Sequence, residues 1–550
     1  MRHGGQILVD ALKAHGVERV FSVPGESFLA ALDALHDAGI PNVVCRHEGG
    51  AAMMAEAAGK LTGRPGICFV TRGPGATNAS AGVHVAQQDS TPMILFIGQI
   101  ARDDRDRDAF QEVDYRQMFG GLAKWVAQID QTDRIPEYIA RAFDLAQSGR
   151  PGPVVLALPE DMLSARAEVA DLPPAPRPVA GISDAQAHAI RDALAGAERP
   201  LVIPGGALWA QEDADRLTRF AENWGLPVAV PFRRQDYMDN RHPNYAGDLG
   251  VGMNTRMGEA LREADCLLSL GSRLGDALTA GYTLMHPSAQ GRRIIHIHPS
   301  PDEIGHLWRA DPGIAACPRA ALAALAALPA PRRWDDWTAR LRAHYEDWQT
   351  PRPTPGEVTM EQVVCWLSAN LPEDAILTNG AGNYAAFVHR YFRFKRAKTQ
   401  IAPTSGSMGY GLPAAIAASL LHPERVVVCM AGDGCLQMTV NELSTAAQHG
   451  ATPIVVVANN GRYGTIRMHQ EKHYPGRPSG TDLANPDFAA LARAYGGHGE
   501  VVTQNDGFAV AFQRARASGR FAVIELRLDP EALTSFATLS EIRARAQARG

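Results

Sequence analysis

The residues best able to do chemistry stand between positions 426 and 466. Val426-Val427-Val428-Cys429-Met430 leads into Ala431-Gly432-Asp433-Gly434, and Asn459-Asn460 follows after 24 intervening residues. A carboxylate, an amide oxygen and nearby backbone carbonyls are hard donors, suited to Mg²⁺ rather than zinc, and Mg²⁺ commonly completes its six oxygens with phosphate. Gly432 and Gly434 let the backbone approach such a ligand closely. A second candidate is Glu48, within Arg46-His47-Glu48-Gly49-Gly50-Ala51-Ala52. A third is the stretch Pro403-Thr404-Ser405-Gly406-Ser407-Met408-Gly409-Tyr410-Gly411-Leu412-Pro413. Taken singly, these are an ordinary turn, a helix-start charge and a core methionine. Their combination, in a strand-and-turn context, is what points to a site.

These residues need a strand–helix–strand crossover to position them. The apolar run before Asp433 reads as a buried strand. A helix is expected from about Cys435, with Leu436, Val440, Leu443 and Ala447 on one face and His449-Gly450 as its stop. Residues 453–458 read as the next strand. A crossover of about 30 residues makes its two strands parallel. Asp433 and Asn460 are then expected at the carboxyl ends of neighbouring strands, where open α/β sheets bind ligands. The N–H groups opening the helix would favour a diphosphate.

The same alternation of β-branched runs and helical periodicity continues along most of the chain. It predicts an α/β protein of three doubly wound parallel-sheet domains, over residues 1–165, 183–327 and 357–550. Residues 168–181 and 328–355 are rich in Pro and read as linkers, the second holding part of a connecting helix. In the first block strands are expected at 17–23, 42–45, 66–71 and 93–97, with a helix after Gly73-Pro74-Gly75-Ala76-Thr77-Asn78. The first and third blocks share a rhythm consistent with a common fold.

Composition narrows the class. The 550 residues are 45% hydrophobic and 21% charged, with a net charge of −5; neither a nucleic-acid partner nor a membrane is expected. The amphipathic start lacks the charged tip and apolar block of a secretory signal, so a cytoplasmic protein is expected. Seven scattered cysteines, none spaced CxxC, argue against a disulfide framework or structural zinc.

The GDG and NN pair resembles the diphosphate-anchoring motif of thiamine-diphosphate-dependent enzymes, and nearly the whole chain resembles their acetolactate synthase and 2-oxo acid decarboxylase branch. The resemblance implies thiamine diphosphate and Mg²⁺, with Asp433, Asn460 and the Arg462 carbonyl holding the metal. Gly432, Gly434, Cys435, Tyr463, Gly380, Gly382 and Asn383 would surround the diphosphate. Glu48 would bond N1′ of the aminopyrimidine, favouring the tautomer whose imino nitrogen removes the thiazolium C2 proton. Pro24, Gly25 and Asn78 would lie near the same ring. The Gly406 carbonyl would accept from its 4′-amino group, with Met408 as the wedge beneath the thiazolium. Gln111 would face the reacting centre, and Lys124 stands where the synthases carry a pocket lysine. The family builds each site from two subunits, implying a homodimer or homotetramer with sites at the interface.

Departures from the family bear on the substrate. Residues 24–27 read Pro-Gly-Glu-Ser where anabolic synthases have PGG, adding a carboxylate and a hydroxyl. His469 stands in place of the tryptophan that selects 2-oxobutyrate. In the middle block Ala277 replaces an arginine of the family's flavin-contacting segment, and His296 and His298 replace aspartates, so FAD is absent or differently held. The expected reaction is decarboxylation of a small, pyruvate-like 2-oxo acid with ligation to a second carbonyl. The alternatives are simple 2-oxo acid decarboxylation, aldehyde lysis or ligation, a regulatory paralogue without turnover, or a flavin- or NAD-dependent oxidoreductase read from residues 200–206, which lack GxGxxG.

Overall fold

A computed structural model describes residues 1–286 and 291–548. Three six-stranded parallel sheets organise them. The first contains β1 (Val20–Ser22), β2 (Asn42–Val44), β3 (Gly66–Val70), β4 (Met93–Gln99), β5 (Trp125–Gln128) and β6 (Pro153–Pro159), in the order β2-β1-β3-β4-β6-β5. The second contains β7 (Pro200–Pro204), β8 (Val228–Pro231), β9 (Tyr245–Leu249), β10 (Cys266–Leu270), β11 (Arg293–His298) and β12 (Gly313–Ala315), ordered β9-β8-β7-β10-β11-β12. The third contains β13 (Ile376–Asn379), β14 (Gln400–Ile401), β15 (Val427–Gly432), β16 (Ile454–Asn459), β17 (His498–Val502) and β18 (Ala522–Arg527), ordered β14-β13-β15-β16-β18-β17. The first and third orders are the same permutation, the physical basis of their shared rhythm.

The central strands of each sheet are buried on both faces, as helix-covered parallel strands must be. That burial explains their continuous apolar runs: Met93–Gln99 and Pro153–Pro159 are buried throughout. In the first core Phe69 stacks on Phe28 and Phe96. The second is built around Trp209, Phe220 and Trp224.

By contacts the described chain forms two compact units. One comprises Met1–Pro178, Pro403–Pro423 and Met438–Pro453; the other comprises Val179–Ala402, Glu424–Gln437 and Ile454–Gly550, of which residues 291–402, 424–437 and 454–548 are described beyond residue 286.

Several expectations are corrected. The first strand is shorter than 17–23. Pro74 opens the helix α2 (Pro74–Asp89), so the GPGATN run forms its first turn instead of preceding it; proline suits that position because the first N–H has no intrahelical partner. The helix expected from Cys435 to Ala447 is broken. It consists of one turn, Asp433–Gln437, then a 3₁₀ turn Val440–Glu442, then Leu443–His449. At the break Thr439 leaves helical geometry and its hydroxyl donates to the Gly409 carbonyl at 2.7 Å. The connecting helix is Asp335–Gln349.

Candidate active site

In the second unit, β13, β15 and β16 are consecutive neighbours, so the residues following them share one carboxyl edge. β15 and β16 are parallel, with Gly432 opposite Ala458. Asp433 and Asn460 therefore follow adjacent strand ends, as their spacing predicts. Asp433 is 3% exposed. Its Oδ1 accepts from Gly434 N (2.8 Å), and its Oδ2 accepts from Gly461 N (2.9 Å) and Asn485 Nδ2 (2.8 Å). Burial pushes this carboxyl above its ordinary value, against those hydrogen bonds. Asn460 Oδ1 accepts from Arg462 N at 3.2 Å, leaving a second lone pair on that oxygen. Arg462 is fixed by a bridge to Asp482, with Tyr463 N donating to Thr481 O and Leu483 N to Gly461 O, both at 2.8 Å.

The glycines are there for space. A Cβ on Gly434 would lie 2.5 Å from Tyr463 Cε1, and one on Gly432 3.0 Å from Tyr384 Cδ1. Gly382 has φ 152°, a backbone conformation that L side chains rarely adopt. Tyr384 Oη accepts from Gly380 N (3.1 Å) and donates to Cys435 Sγ (3.3 Å), and Asn383 exchanges bonds with Thr465. Gly380, Gly382, Asn383, Gly432, Asp433, Gly434, Cys435, Asn460 and Tyr463 thus gather at one edge. With only five residues in the Asp433–Gln437 turn, local N–H groups matter here more than a helix dipole.

In the first unit, β2, β1, β3 and β4 are likewise consecutive, and the turns after them carry Glu48, residues 24–27, residues 71–75 and Gln111. Glu48 opens α1 (Glu48–Thr62), which His47 caps by accepting from Gly49 N. Glu48 Oε2 accepts from Asn78 Nδ2 at 2.9 Å. A Cβ on Gly75 would lie 3.3 Å from Glu48 Oε1, and one on Gly25 2.4 Å from Thr71 Cβ, so Gly25 and Gly75 let Thr71 and Glu48 pack closely at this edge. Pro24 is exposed beside them. Gln111 adopts φ 66° and lies against Gly73, whose N–H donates to Tyr115 Oη at 2.9 Å. Gly406 (φ 69°) and Met408 lie in the turn before the helix Gly411–Leu421. Asp89 anchors that turn by accepting from Thr404 N at 2.7 Å.

Lys124 is a correction. It precedes β5 and so lies at the amino edge of the first sheet, opposite the edge carrying Glu48 and Gln111. Its ammonium donates to the carbonyls of Leu145 and Ser148, capping the helix Ile135–Gln147, where terminal carbonyls lack intrahelical partners. Sequence reasoning also missed Asn485, which bonds both Asp433 and Asn459 from a loop, and Tyr384. Asn485 carries no signal in its own segment; Tyr384 stands beside the glycine-rich 380–383 run.

Family models cover each block of the chain. Thiamine pyrophosphate enzyme, N-terminal TPP binding domain, matches residues 2–118; its central domain matches 187–325; and its C-terminal TPP binding domain matches 380–526. The acetolactate synthase isozyme 2 large subunit of Escherichia coli is 32% identical over 92% of this chain and 91% of its own length. The chain belongs to the thiamine pyrophosphate enzyme family. A similar acetolactate synthase large subunit of Parasynechococcus marenigrum is 33% identical (92% of this chain, 84% of that one). A probable one of Methanocaldococcus jannaschii is 30% identical (96% and 92%). In this thiamine pyrophosphate enzyme the two matched cofactor-binding segments take in β1–β4 of the first sheet and β14–β17 of the third, the two sheets of common strand order. Among the described residues no helix is long and apolar enough to cross a membrane.

Proposed function

We propose that the chain is a thiamine-diphosphate- and Mg²⁺-dependent enzyme that decarboxylates a small 2-oxo acid and ligates the remaining fragment to a second carbonyl, as the names of its relatives suggest. The observation that carries this is Asp433: a carboxylate buried at a strand end, met by three N–H donors and, among the described residues, by no salt bridge. A buried anion needs a compensating charge, and a divalent cation supplies it. Asp433, Asn460 Oδ1 and the Arg462 carbonyl form an all-oxygen set fitting Mg²⁺. Gly432 and Gly434 let the Tyr384 and Tyr463 rings pack against the backbone on either side of Asp433.

When bound, thiamine diphosphate supplies the carbon nucleophile and electron sink that loss of CO₂ from a 2-oxo acid requires. The chain's own residues do the rest. Glu48, oriented by Asn78, holds a proton at the pyrimidine N1′. Pro24, Gly25 and Gly406 bound the same ring, Met408 supports the thiazolium, and Gln111 faces the substrate. Residues 1–165 serve as the pyrimidine-binding domain, 183–327 as the central domain and 357–550 as the diphosphate-binding domain. Each site takes Glu48 from one protomer and Asp433 from another, in a homodimer or homotetramer.

We read the central domain as one that does not hold flavin. Its sheet changes direction between β7 and β10, where a dinucleotide would bind. There the backbones touch: a Cβ on Gly205 would lie 2.6 Å from Ser272 Cα. Trp209 and Tyr237 stack beside this point and donate to the Gly205 and Gly206 carbonyls. His296 is buried and bonded to Ser272 O instead of offering a carboxylate. No step is assigned to FAD.

Titrating the apo-protein with thiamine diphosphate and Mg²⁺, then measuring CO₂ release across 2-oxo acids, tests the reading. Glu48→Gln should bind cofactor and lose turnover by about 10²–10⁴-fold; Asp433→Ala should lose metal-dependent binding itself. Unchanged turnover in either variant contradicts the assignment. Acetolactate or acetoin from pyruvate supports ligation, and free acetaldehyde alone supports simple decarboxylation.

A further inference from the structure

The carboxyl edge of the first sheet holds a nearly buried cation not used so far. Arg72, between Thr71 and Gly73, is 8% exposed. Its Nη1 donates to Glu160 Oε2 at 3.0 Å and its Nη2 to Glu26 Oε1 at 3.4 Å, while Nε has no hydrogen-bond partner. The adjoining Gly73 is pressed against Gln111: a Cβ there would lie 2.8 Å from Gln111 Cβ. Arg72 therefore belongs to the turn that supports the residue proposed to face the substrate.

The environment of this guanidinium is incomplete in a specific way. A buried N–H without a partner is costly, and arginine's planar fork matches a carboxylate with two parallel bonds. Of its two acids, Glu26 is the loosely held one: its contact is long and its side chain is 68% exposed. A carboxylate held loosely at the surface of a buried cation can be exchanged for another carboxylate. The chemistry that fits the position is thus a small organic acid.

The proposed reaction brings two carboxylates to the site. A cation fixed on the one that departs as CO₂ would stabilise the ground state more than the transition state, and so slow the reaction. The carboxylate of the acceptor is retained throughout. We propose that Arg72 selects a second 2-oxo acid as acceptor by binding its carboxylate, with Glu26 as the resting counter-ion that the acid displaces. This rests on the ligation reading above. In the balanced step the donor's bond to its carboxylate breaks and CO₂ leaves. One carbon–carbon bond forms to the acceptor's keto carbon, and one proton from solvent ends on the acceptor oxygen. The product is a 2-hydroxy-3-oxo acid, and no oxidant or reductant is needed.

The experiment gives the holoenzyme pyruvate together with acetaldehyde, a neutral acceptor, and measures the ratio of acetolactate to acetoin. Arg72→Gln should lower that ratio at least tenfold. Glu26→Gln, at an exposed position, should raise it and lower the KM for the acceptor acid. Opposite shifts are the signature of charge recognition, since a merely structural role would move both variants the same way. An unmoved ratio, or shifts of equal sign, overturns the proposal. Should Arg72→Gln fail to fold, a Glu26→Gln ratio equal to or below wild type overturns it alone. Wild-type enzyme that releases CO₂ but shows no selection against acetaldehyde refutes this inference only; absence of any CO₂ release refutes the parent reading with it.

Discussion

The C-terminal helix Leu539–Gln547 is tethered to the segment that follows Asn460, and that tether can be cut at one residue pair. Glu471, fully buried on the helix Gly464–His473, accepts from Arg543 Nε (2.8 Å) and Nη2 (2.7 Å) and from Gly476 N (2.8 Å). The Arg543 pairing, foremost among several donors, holds its carboxyl down at about 2 instead of 4.5. A depression of that size corresponds to about 3 kcal/mol at neutral pH. Leu539 is the only buried residue of the terminal helix, so polar contacts carry much of its docking, this ion pair together with the Arg352–Glu541 pair and the bonds of Leu539 N and Ser540 N to Glu531. Glu471→Gln should raise local opening by up to roughly 10²-fold, since Gly476 N and Arg467 carry part of the depression, read as faster amide hydrogen exchange over residues 540–547. A depressed carboxyl contributes stability above its ordinary value and loses it as pH falls. The ratio of variant to wild-type exchange should therefore fall toward one between about pH 4.5 and 2. Arg543→Met should reproduce the effect, and the double variant should add little. A ratio below about threefold at pH 7, against the roughly 10²-fold that linkage gives, or one independent of pH, would refute the reasoning.

Three further outcomes follow from the geometry. Gly434→Ala should cost about 1–3 kcal/mol by driving a methyl into the Tyr463 ring; unchanged thermal stability together with unchanged cofactor affinity contradicts it. Lys124→Met should leave CO₂ release within about twofold of wild type, because the side chain lies at the opposite sheet edge and its bonds are exposed ones; a loss of tenfold or more would restore it to the site. Lys60→Met should destabilise the first unit by about 3–5 kcal/mol in urea denaturation, since it leaves the buried carboxylates of Glu56 and Asp89 without their shared ammonium. A cost below about 1 kcal/mol would show that those carboxyls are neutral when buried.

Much of this architecture was legible because buried parallel strands are continuous apolar runs. Met93–Gln99, Val427–Gly432 and Ile454–Asn459 announce themselves, and the 24-residue interval between GDG and NN fits only one crossover. The strands that escaped notice lie at sheet edges. Tyr245–Leu249 contains Gly247 and Asp248, residue types depleted in strands; burial pushes the Asp248 carboxyl up to about 7. Gly313–Ala315 is three residues long, and His498–Val502 is half-exposed. The break after Gln437 was illegible because helical periodicity persists across it, while a tertiary bond from Thr439 to Gly409 sets the backbone. The placement of Glu48, Asp433 and Asn460 after strand ends at carboxyl edges was legible from motif and spacing. Lys124 misled because linear resemblance does not report which end of a strand a residue occupies. Arg72 stood in plain view within the TRGPGATN run, but its value depends on Glu26 and Glu160, 46 and 88 residues away.

The central claim is that each active site joins Glu48 of one protomer to Asp433 of another. Subunit mixing tests it most directly: inactive Glu48→Gln and Asp433→Ala enzymes are dissociated, combined and reassociated, and CO₂ release is measured. A mixed dimer would contain one doubly impaired and one intact site, so random reassociation should restore about a quarter of wild-type activity. Activity that stays at the level of the separate variants, with mixed dimers demonstrably formed, would contradict the account.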